Sequence, residues 1–251
     1  MQRVLVTAGA SGIGLAIVRR FLDAGHRVHV ADVDSGALAA VCGELEVTGS
    51  CVDVGSSEDV ARLAEQAKAA LCGIDVLVNN AGIGGANAFI EDLSDEQWDS
   101  LLRVNVTGAF YVTRAFVPLM KAQGAGVIIN ISTTSVATGL PRRSPYVASK
   151  AALEALTRNL ARELGPFNIR CNAIRPGSIE NERGRALLRA RAEREGITYE
   201  EALKRRLEFI SMRSRILPEE IGDMAVFLAS DGARHVSGQI ISVCGNVEWE
   251  G

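Results

Sequence analysis

Tyr146 and Lys150, in the run Tyr146-Val147-Ala148-Ser149-Lys150, stand four residues apart at the start of a helical segment, so both side chains project from one face. An ammonium beside a phenol stabilises the phenolate and brings its pKa down from about 10 toward the range of a general base. Ser132-Thr133-Thr134-Ser135 puts a cluster of hydroxyls at a strand end, with Thr133 thirteen residues before Tyr146. Asn79-Asn80-Ala81-Gly82 ends another strand, and Asn105 opens a helix in Val104-Asn105-Val106-Thr107-Gly108.

A second group of residues is suited to holding a dinucleotide. Val4-Leu5-Val6 leads through Thr7-Ala8-Gly9-Ala10-Ser11-Gly12-Ile13-Gly14 into a helix, which is a strand, a tight glycine turn and a helix start. Such a turn lets a pyrophosphate approach the backbone where free N–H groups and the helix dipole favour an anion. Asp32 closes the second strand 18 residues after Gly14, placed to accept hydrogen bonds from both ribose hydroxyls of an adenosine, with Val33 beside it. Its charge would also repel a 2′-phosphate. At about 5 Å and an effective dielectric near 20, each unit of like charge costs up to roughly 3 kcal/mol, which favours NAD over NADP. Asp53 and Val54, at the end of the third strand, would lie beside the adenine by the same geometry.

Short Val/Ile/Leu-rich runs alternate with helical periodicity along almost the whole chain, the pattern of βαβ units and a doubly wound parallel α/β sheet. The sequence predicts strands near 3–7, 27–31, 48–53, 74–79, 126–131, 168–175 and 239–243, most of them continuously apolar as buried parallel strands are. Helices are predicted near 13–24, 36–45, 57–71, 95–123 with a break, 145–164 and 218–229. Leu153, Leu156, Leu160 and Leu164 share one helix face suited to a core or subunit contact. Residues 178–217 differ. Ten basic and seven acidic residues fall between Glu180 and Arg215, interleaved with Leu187, Leu188, Leu203, Leu207 and Phe209. They read as two amphipathic helices split at Gly196, a flap over the ligand-binding edge of a single domain spanning 1–251.

Composition narrows the function. With 251 residues, 47% of them hydrophobic, the chain is long enough to bury a sizeable core. A net charge of −3 leaves no cationic surplus for nucleic acid. No apolar run approaches the roughly 18 residues of a membrane helix, and no signal peptide is apparent, so a cytoplasmic location is the expectation. Cysteines 42, 51, 72, 171 and 244 are odd in number and widely spaced, which predicts reduced, mostly buried thiols and no metal site. Histidines 26, 29 and 235 are not arranged for a His-based triad.

Taken in order, the glycine loop, Asn-Asn-Ala-Gly, the hydroxyl cluster, Tyr-x-x-x-Lys and Pro176-Gly177 make the chain resemble a short-chain dehydrogenase/reductase of the single-domain type, over essentially its full length. The resemblance implies a Rossmann-type sheet of order 3-2-1-4-5-6-7, a nicotinamide cofactor, a small-molecule substrate and a homotetramer or homodimer. It makes Tyr146 the acid/base toward the substrate oxygen and gives Lys150 the nicotinamide ribose. It assigns Asn105 a water in a proton relay, and Asn80, Ala81 and Gly82 the cofactor cleft. Gly9, Ser11, Gly12, Ile13 and Gly14 would take the pyrophosphate, and Pro176, Gly177, Ile179 and Asn181 would lie along the nicotinamide.

The chain departs from the family pattern at four places. Ala8 stands where the family loop has its first glycine, and Gly9 follows, which predicts a turn re-registered by one residue. Thr133 stands at the family's serine; Ser132 or Ser135 could take its place only with an insertion and a compensating deletion. Asn181 replaces a threonine that contacts the carboxamide, and Val243-Cys244-Gly245-Asn246 replaces Val-Asp-Gly-Gly. The leading expectation is an NAD-dependent enzyme acting on a secondary alcohol or ketone, with a 3-oxoacyl-[acyl-carrier-protein] reductase and a non-catalytic dinucleotide sensor as alternatives. Arg142, Arg143, Arg175, Arg183 and Arg185 lie near the expected cleft, where a guanidinium would clamp an anionic substrate unless solvated or paired to Glu180, Glu182 and their neighbours.

Overall fold

Val4, Leu5 and Val6 carry no polar side chain and form the fully buried middle of β1 (Arg3–Thr7), with Val4 and Val6 facing one layer of helices and Leu5 the other. The computed structural model describes residues 1–247, the side chain of Arg183 excepted. The remaining strands are β2 (Arg27–Asp32), β3 (Val47–Cys51), β4 (Val76–Asn79), β5 (Gly126–Ile131), β6 (Ile169–Pro176) and β7 (Ile240–Val243). All pair in parallel, in the order β3-β2-β1-β4-β5-β6-β7. The fold is therefore the seven-stranded, doubly wound sheet expected from the alternation of elements, in the Rossmann-type order that the resemblance implies. Because every strand points the same way, all seven carboxyl ends meet at one edge of the sheet.

Helices α1 (Gly12–Asp23), α2 (Ser35–Glu44) and α10 (Pro218–Ala229) cover one face, where Ile17, Phe21, Leu38, Ile221 and Leu228 pack against the strands. Helices α3 (Ser57–Leu71), α5 (Gly108–Gln123) and α7 (Ser144–Leu164) cover the other with Leu63, Phe116, Met120, Leu160 and Leu164. The predicted helix over 95–123 is α4 (Asp95–Leu102), a π-turn (Arg103–Thr107) and α5 without interruption. Asn105 thus sits in a widened turn inside a long helix rather than at a helix start, a correction to the sequence reading. A short α6 (Ser135–Thr138) was not anticipated. The 178–217 region contains α8 (Glu182–Glu195) and α9 (Tyr199–Glu208), separated at Gly196 and sharing a small core of Leu188, Ala192 and Ala202.

All five cysteines are free, but Cys51 and Cys72 are exposed, which corrects the expectation of mostly buried thiols. Burial pushes the Cys171 thiol up to about 12, leaving it unreactive. Among the described residues no helix is long and apolar enough to cross a membrane, and no three His, Cys, Asp or Glu side chains are grouped to hold a metal.

His29 is buried in β2 between two hydroxyls of β3, with Nδ1 2.7 Å from Thr48 Oγ1 and Nε2 2.8 Å from Ser50 Oγ. A hydroxyl donates or accepts as needed, so a neutral ring is satisfied while a charged one would be buried among neutral partners. Burial accordingly lowers the His29 pKa to about 4. The unfolded chain, titrating near 6.5, binds this proton first, so stability is full above that value and falls as pH drops toward 4. His29→Gln is expected to remove about 2–3 kcal/mol of the stability difference between pH 7.5 and pH 4.5, read by urea unfolding at the two pH values. An unchanged difference would exonerate His29.

Candidate active site

Ser11 precedes α1 without a side-chain hydrogen bond to it, so the first N–H groups of the helix are not capped from within the turn. Ser11 and Gly12 are exposed, and the positive end of the helix dipole opens at the carboxyl edge of the sheet. Gly12 takes φ +53°. Gly14 is fixed by a close approach: a Cβ there would lie 2.0 Å from the Ala8 carbonyl oxygen and 2.6 Å from Asn80 Nδ2. The non-glycine left-handed residue in the turn is Ala8, at φ +49°, while Gly9 packs against Val30. Ala8 itself, rather than the neighbouring Gly9, takes the left-handed conformation and carries its strain, which corrects the expectation of a turn shifted onto Gly9.

Asp32 is buried at the end of β2, its Oδ2 accepting from the Ala10 N–H at 2.9 Å and its Oδ1 from the Asp34 N–H at 3.1 Å. A carboxylate has about four lone-pair sites, so capacity for ribose hydroxyls remains. Val33 beside it is exposed. Asp53 lies two residues beyond β3 and accepts from the Gly55 N–H (2.8 Å) and from Arg103 Nη1 (2.9 Å). The Arg103 hydrogen bond holds its carboxyl below the usual range. Val54 is buried against Gly108.

At β4, Asn80 Nδ2 donates to the Thr7 and Ala8 carbonyls, and the Asn80 and Ala81 N–H groups both donate to Thr7 Oγ1. This ties the glycine turn to the Asn-Asn-Ala-Gly segment. A Cβ on Gly82 would sit 3.2 Å from both Lys150 Nζ and Asn105 Oδ1, so these three residues adjoin. Asn105 is fully buried; Oδ1 accepts from the Ile83 N–H (2.8 Å), while Nδ2 donates to the Ile83 carbonyl and to Ser149 Oγ, each at 3.0 Å. Both amide hydrogens are thus engaged by protein.

Pro145 in the first turn starts α7, and one helical turn then carries the chain from half-buried Tyr146 to buried Lys150, whose Nζ donates to the Ile131 carbonyl at 2.7 Å. The Arg143 guanidinium lies 5.6 Å from the centroid of the Tyr146 ring. Thr133, just beyond β5, is buried with Oγ1 3.3 Å from Ser135 Oγ. Ser132 turns the other way and donates to Glu154 Oε1 at 2.6 Å, so it is not placed to act in Thr133's stead.

After β6, a Cβ on Gly177 would lie 2.7 Å from the Cys244 Cα, and the Gly177 N–H donates to the Val243 carbonyl at 2.9 Å. The small Cys244 thus fills the space beneath the Pro176-Gly177 turn. The Ile179 carbonyl accepts from Arg215, and Asn181 Oδ1 caps α8 through the Gly184 N–H, leaving its NH₂ as the group able to serve a ligand. Of the arginines expected to meet an anionic substrate, Arg175 is held bidentately by Glu154 (2.7 Å twice) and Arg185 by Glu180 and Glu182. Both are therefore paired, Arg185 with the very carboxylates named as its alternative to a substrate and Arg175 with Glu154. Arg142 stacks on Phe89, and the Arg183 side chain lies outside the described residues.

The sequence reading missed Ser149 and Glu154. The first bridges Asn105 and the Tyr146 carbonyl; the second was visible as an acidic residue on the apolar stripe of α7.

The family model described as enoyl-(acyl carrier protein) reductase matches residues 7–246. The chain belongs to the short-chain dehydrogenase/reductase family. It is 37% identical over 247 residues to human dehydrogenase/reductase SDR family member 4, covering 96% of this chain and 85% of that one. It is 35% identical over 250 residues to a probable galactose dehydrogenase, GalD, of Rhizobium meliloti, covering 97% and 94%. An NAD⁺-bound xylitol dehydrogenase superposes with a TM-score of 0.90 at 29% identity (96% and 97% coverage). A single-residue variant of actinorhodin polyketide ketoreductase, with NADPH, gives 0.93 at 31% (98% and 97%).

For this short-chain dehydrogenase/reductase the strained Ala8 makes a direct test. A left-handed alanine costs roughly 1–2 kcal/mol, and glycine adds back about 0.5–1 kcal/mol of chain entropy. Ala8→Gly is therefore expected to raise the melting temperature by about 1–3 °C. A lowered value would show that the methyl group contributes packing that outweighs the strain.

Proposed function

We propose that the chain is an NAD-dependent oxidoreductase that interconverts a secondary alcohol and its ketone. The observation that carries this reading is the meeting, at one sheet edge, of Tyr146, Lys150, Thr133 and Asn105 with the uncapped N-terminus of α1 and the buried Asp32. The uncapped N–H groups fit a pyrophosphate, and Asp32 with Val33 fits an unphosphorylated ribose. Asp53 and Val54 would flank the adenine, and Pro176, Gly177, Ile179 and Asn181 the nicotinamide. Bound there, NAD supplies the hydride acceptor, or donor in reverse.

The protein's own groups handle the proton. Tyr146 Oη takes the alcohol proton in oxidation and returns it in reduction, while the Thr133 hydroxyl donates to the substrate oxygen and orients it. The Lys150 ammonium, held in place by the Ile131 carbonyl, would bind the nicotinamide ribose. With both Asn105 amide hydrogens engaged, a relay water there would donate to an acceptor of this residue, its Oδ1 or its main-chain carbonyl. Residues 178–217 act as a flap on this single domain, and α5 presents exposed Phe110 to a homotetrameric or homodimeric partner. With Arg175 and Arg185 held by carboxylates, Arg142 and Arg143 are, among the described side chains of the expected set, those that would meet a polar or anionic substrate.

Cofactor choice is tested at Asp32. Wild type is expected to bind NADH at least about 10²-fold more tightly than NADPH, and Asp32→Ala to weaken NADH while narrowing the gap, measured by fluorescence titration. Equal affinities in wild type would refute the ribose assignment.

Chemistry is tested with NAD⁺ and a panel of galactose, xylitol, and neutral and anionic secondary alcohols, read at two ionic strengths. Tyr146→Phe is expected to abolish turnover and leave NADH affinity within a few-fold. Thr133→Ala is expected to lose about 10²-fold in kcat and Thr133→Ser little. Full activity in Tyr146→Phe would sink the mechanism.

A further inference from the structure

Glu154 is charged and its side chain is only 3% exposed, in the midst of the apolar face of α7. Three hydrogen bonds converge on it. Ser132 Oγ donates to Oε1 at 2.6 Å, Arg175 Nε to Oε1 at 2.7 Å, and Arg175 Nη2 to Oε2 at 2.7 Å. Arg175 is itself mostly buried, its side chain 15% exposed.

A buried ion pair is a poor way to stabilise a fold, since desolvation offsets most of the Coulombic gain and an apolar pair of similar volume often does as well. What the pair does provide is fixed geometry, because a bidentate fork with a third donor allows one arrangement. The residues it joins are informative. Glu154 lies one helical turn beyond Lys150, Ser132 is bonded covalently to Thr133, and Arg175 to Pro176. Two backbone bonds run alongside, from the Ser132 N–H to the Ile174 carbonyl (2.8 Å) and from the Thr134 N–H to the Pro176 carbonyl (3.2 Å).

We propose that Glu154 is a positioning residue that locks the Thr133 hydroxyl and the Pro176-Gly177 turn against the helix carrying Tyr146 and Lys150. This rests on the reading of the site given above. Glu154 touches no reacting atom. It acts through Ser132, whose orientation keeps Thr133 turned to the cleft, and through Arg175, which sets where the chain leaves β6. Misplacement by about an ångström in such a site costs on the order of 10²-fold in rate.

The test uses the full chain, NAD⁺ and the panel alcohol that wild type oxidises fastest. Glu154→Gln is expected to lower kcat by about 10- to 100-fold, with KM and the NADH dissociation constant within about 3-fold of wild type. Added to Thr133→Ala it is expected to cost clearly less than it does alone, because the part of its effect that runs through the Thr133 hydroxyl is already lost while the part that runs through Arg175 remains. An apolar replacement of the pair, Glu154→Leu with Arg175→Leu, is expected to recover the melting temperature and not kcat. This variant also serves if Glu154→Gln fails to fold. Recovery of kcat with the melting temperature, full additivity with Thr133→Ala, or wild-type turnover in Glu154→Gln would each overturn the proposal. If Tyr146→Phe is inactive while Glu154→Gln is unimpaired, the positioning role alone has failed; if Tyr146→Phe is active, the reading of the site has failed and the proposal with it.

Discussion

Polar side chains buried beneath the carboxyl edge of the sheet donate to one another, and the way they do so fixes the helices that carry the site. Asn79 Nδ2 donates to Thr113 Oγ1 on α5 and to Asn130 Oδ1 on β5, and Asn130 Nδ2 donates to Thr157 Oγ1 on α7. Thr157 in turn donates to the Leu153 carbonyl. Each of these groups is excluded from water, so a shift of α5 or α7 along the sheet would leave a donor or acceptor unpaired at a cost of about 1–3 kcal/mol apiece. Apolar contacts alone would tolerate sliding. The amide ladder does not, and it sets the height at which Tyr146 and Lys150 emerge.

The glycine turn obeys a steric version of the same constraint. The Ala8 carbonyl faces Gly14 so closely that a side chain at 14 has no room, and Asn80 holds that carbonyl from the other side. The N-terminus of α1 is thereby fastened to β4 as well as to β1. Asp32 completes the arrangement by accepting the Ala10 N–H, so this buried carboxylate is also part of the turn's own framework.

Much of this was legible in the residues. Periodicity and turn chemistry suffice to place β1 through β7 and the long helices, because buried parallel strands and amphipathic helices leave different spacings. Tyr146, Lys150 and the Gly12-Ile13-Gly14 helix start announce themselves by type and spacing. Side-chain direction was not legible. Ser132 and Thr133 are both hydroxyl residues, and which of them faces Glu154 follows from the alternation of a strand end that spacing alone leaves ambiguous. The fate of Arg175 was equally hidden, since its partner is a carboxylate 21 residues away in sequence, whereas the pairing of Arg185 with Glu180 and Glu182 was open to the sequence reading. Ala8 was read as a shift of the turn because a glycine stood next to it, whereas the backbone keeps its path and bends the alanine.

The π-turn at Arg103–Thr107 shows why the long helix is not regular throughout. A helix gains nothing locally from one turn of wider winding, so something at that turn must hold it. Asn105 meets both the N–H and the carbonyl of Ile83 as a neighbouring strand would, at 2.8 and 3.0 Å, and reaches Ser149 with its second hydrogen. Ile83 follows Asn80-Ala81-Gly82, a segment that has left β4 and needs partners for its backbone. One side chain therefore supports that segment and joins α7 to the α4–α5 helix. The wide turn is the local cost of bringing the Asn105 amide to this position, and Gly82, whose missing Cβ leaves room beside Asn105 Oδ1 and Lys150 Nζ, is what allows the three elements to close on one another.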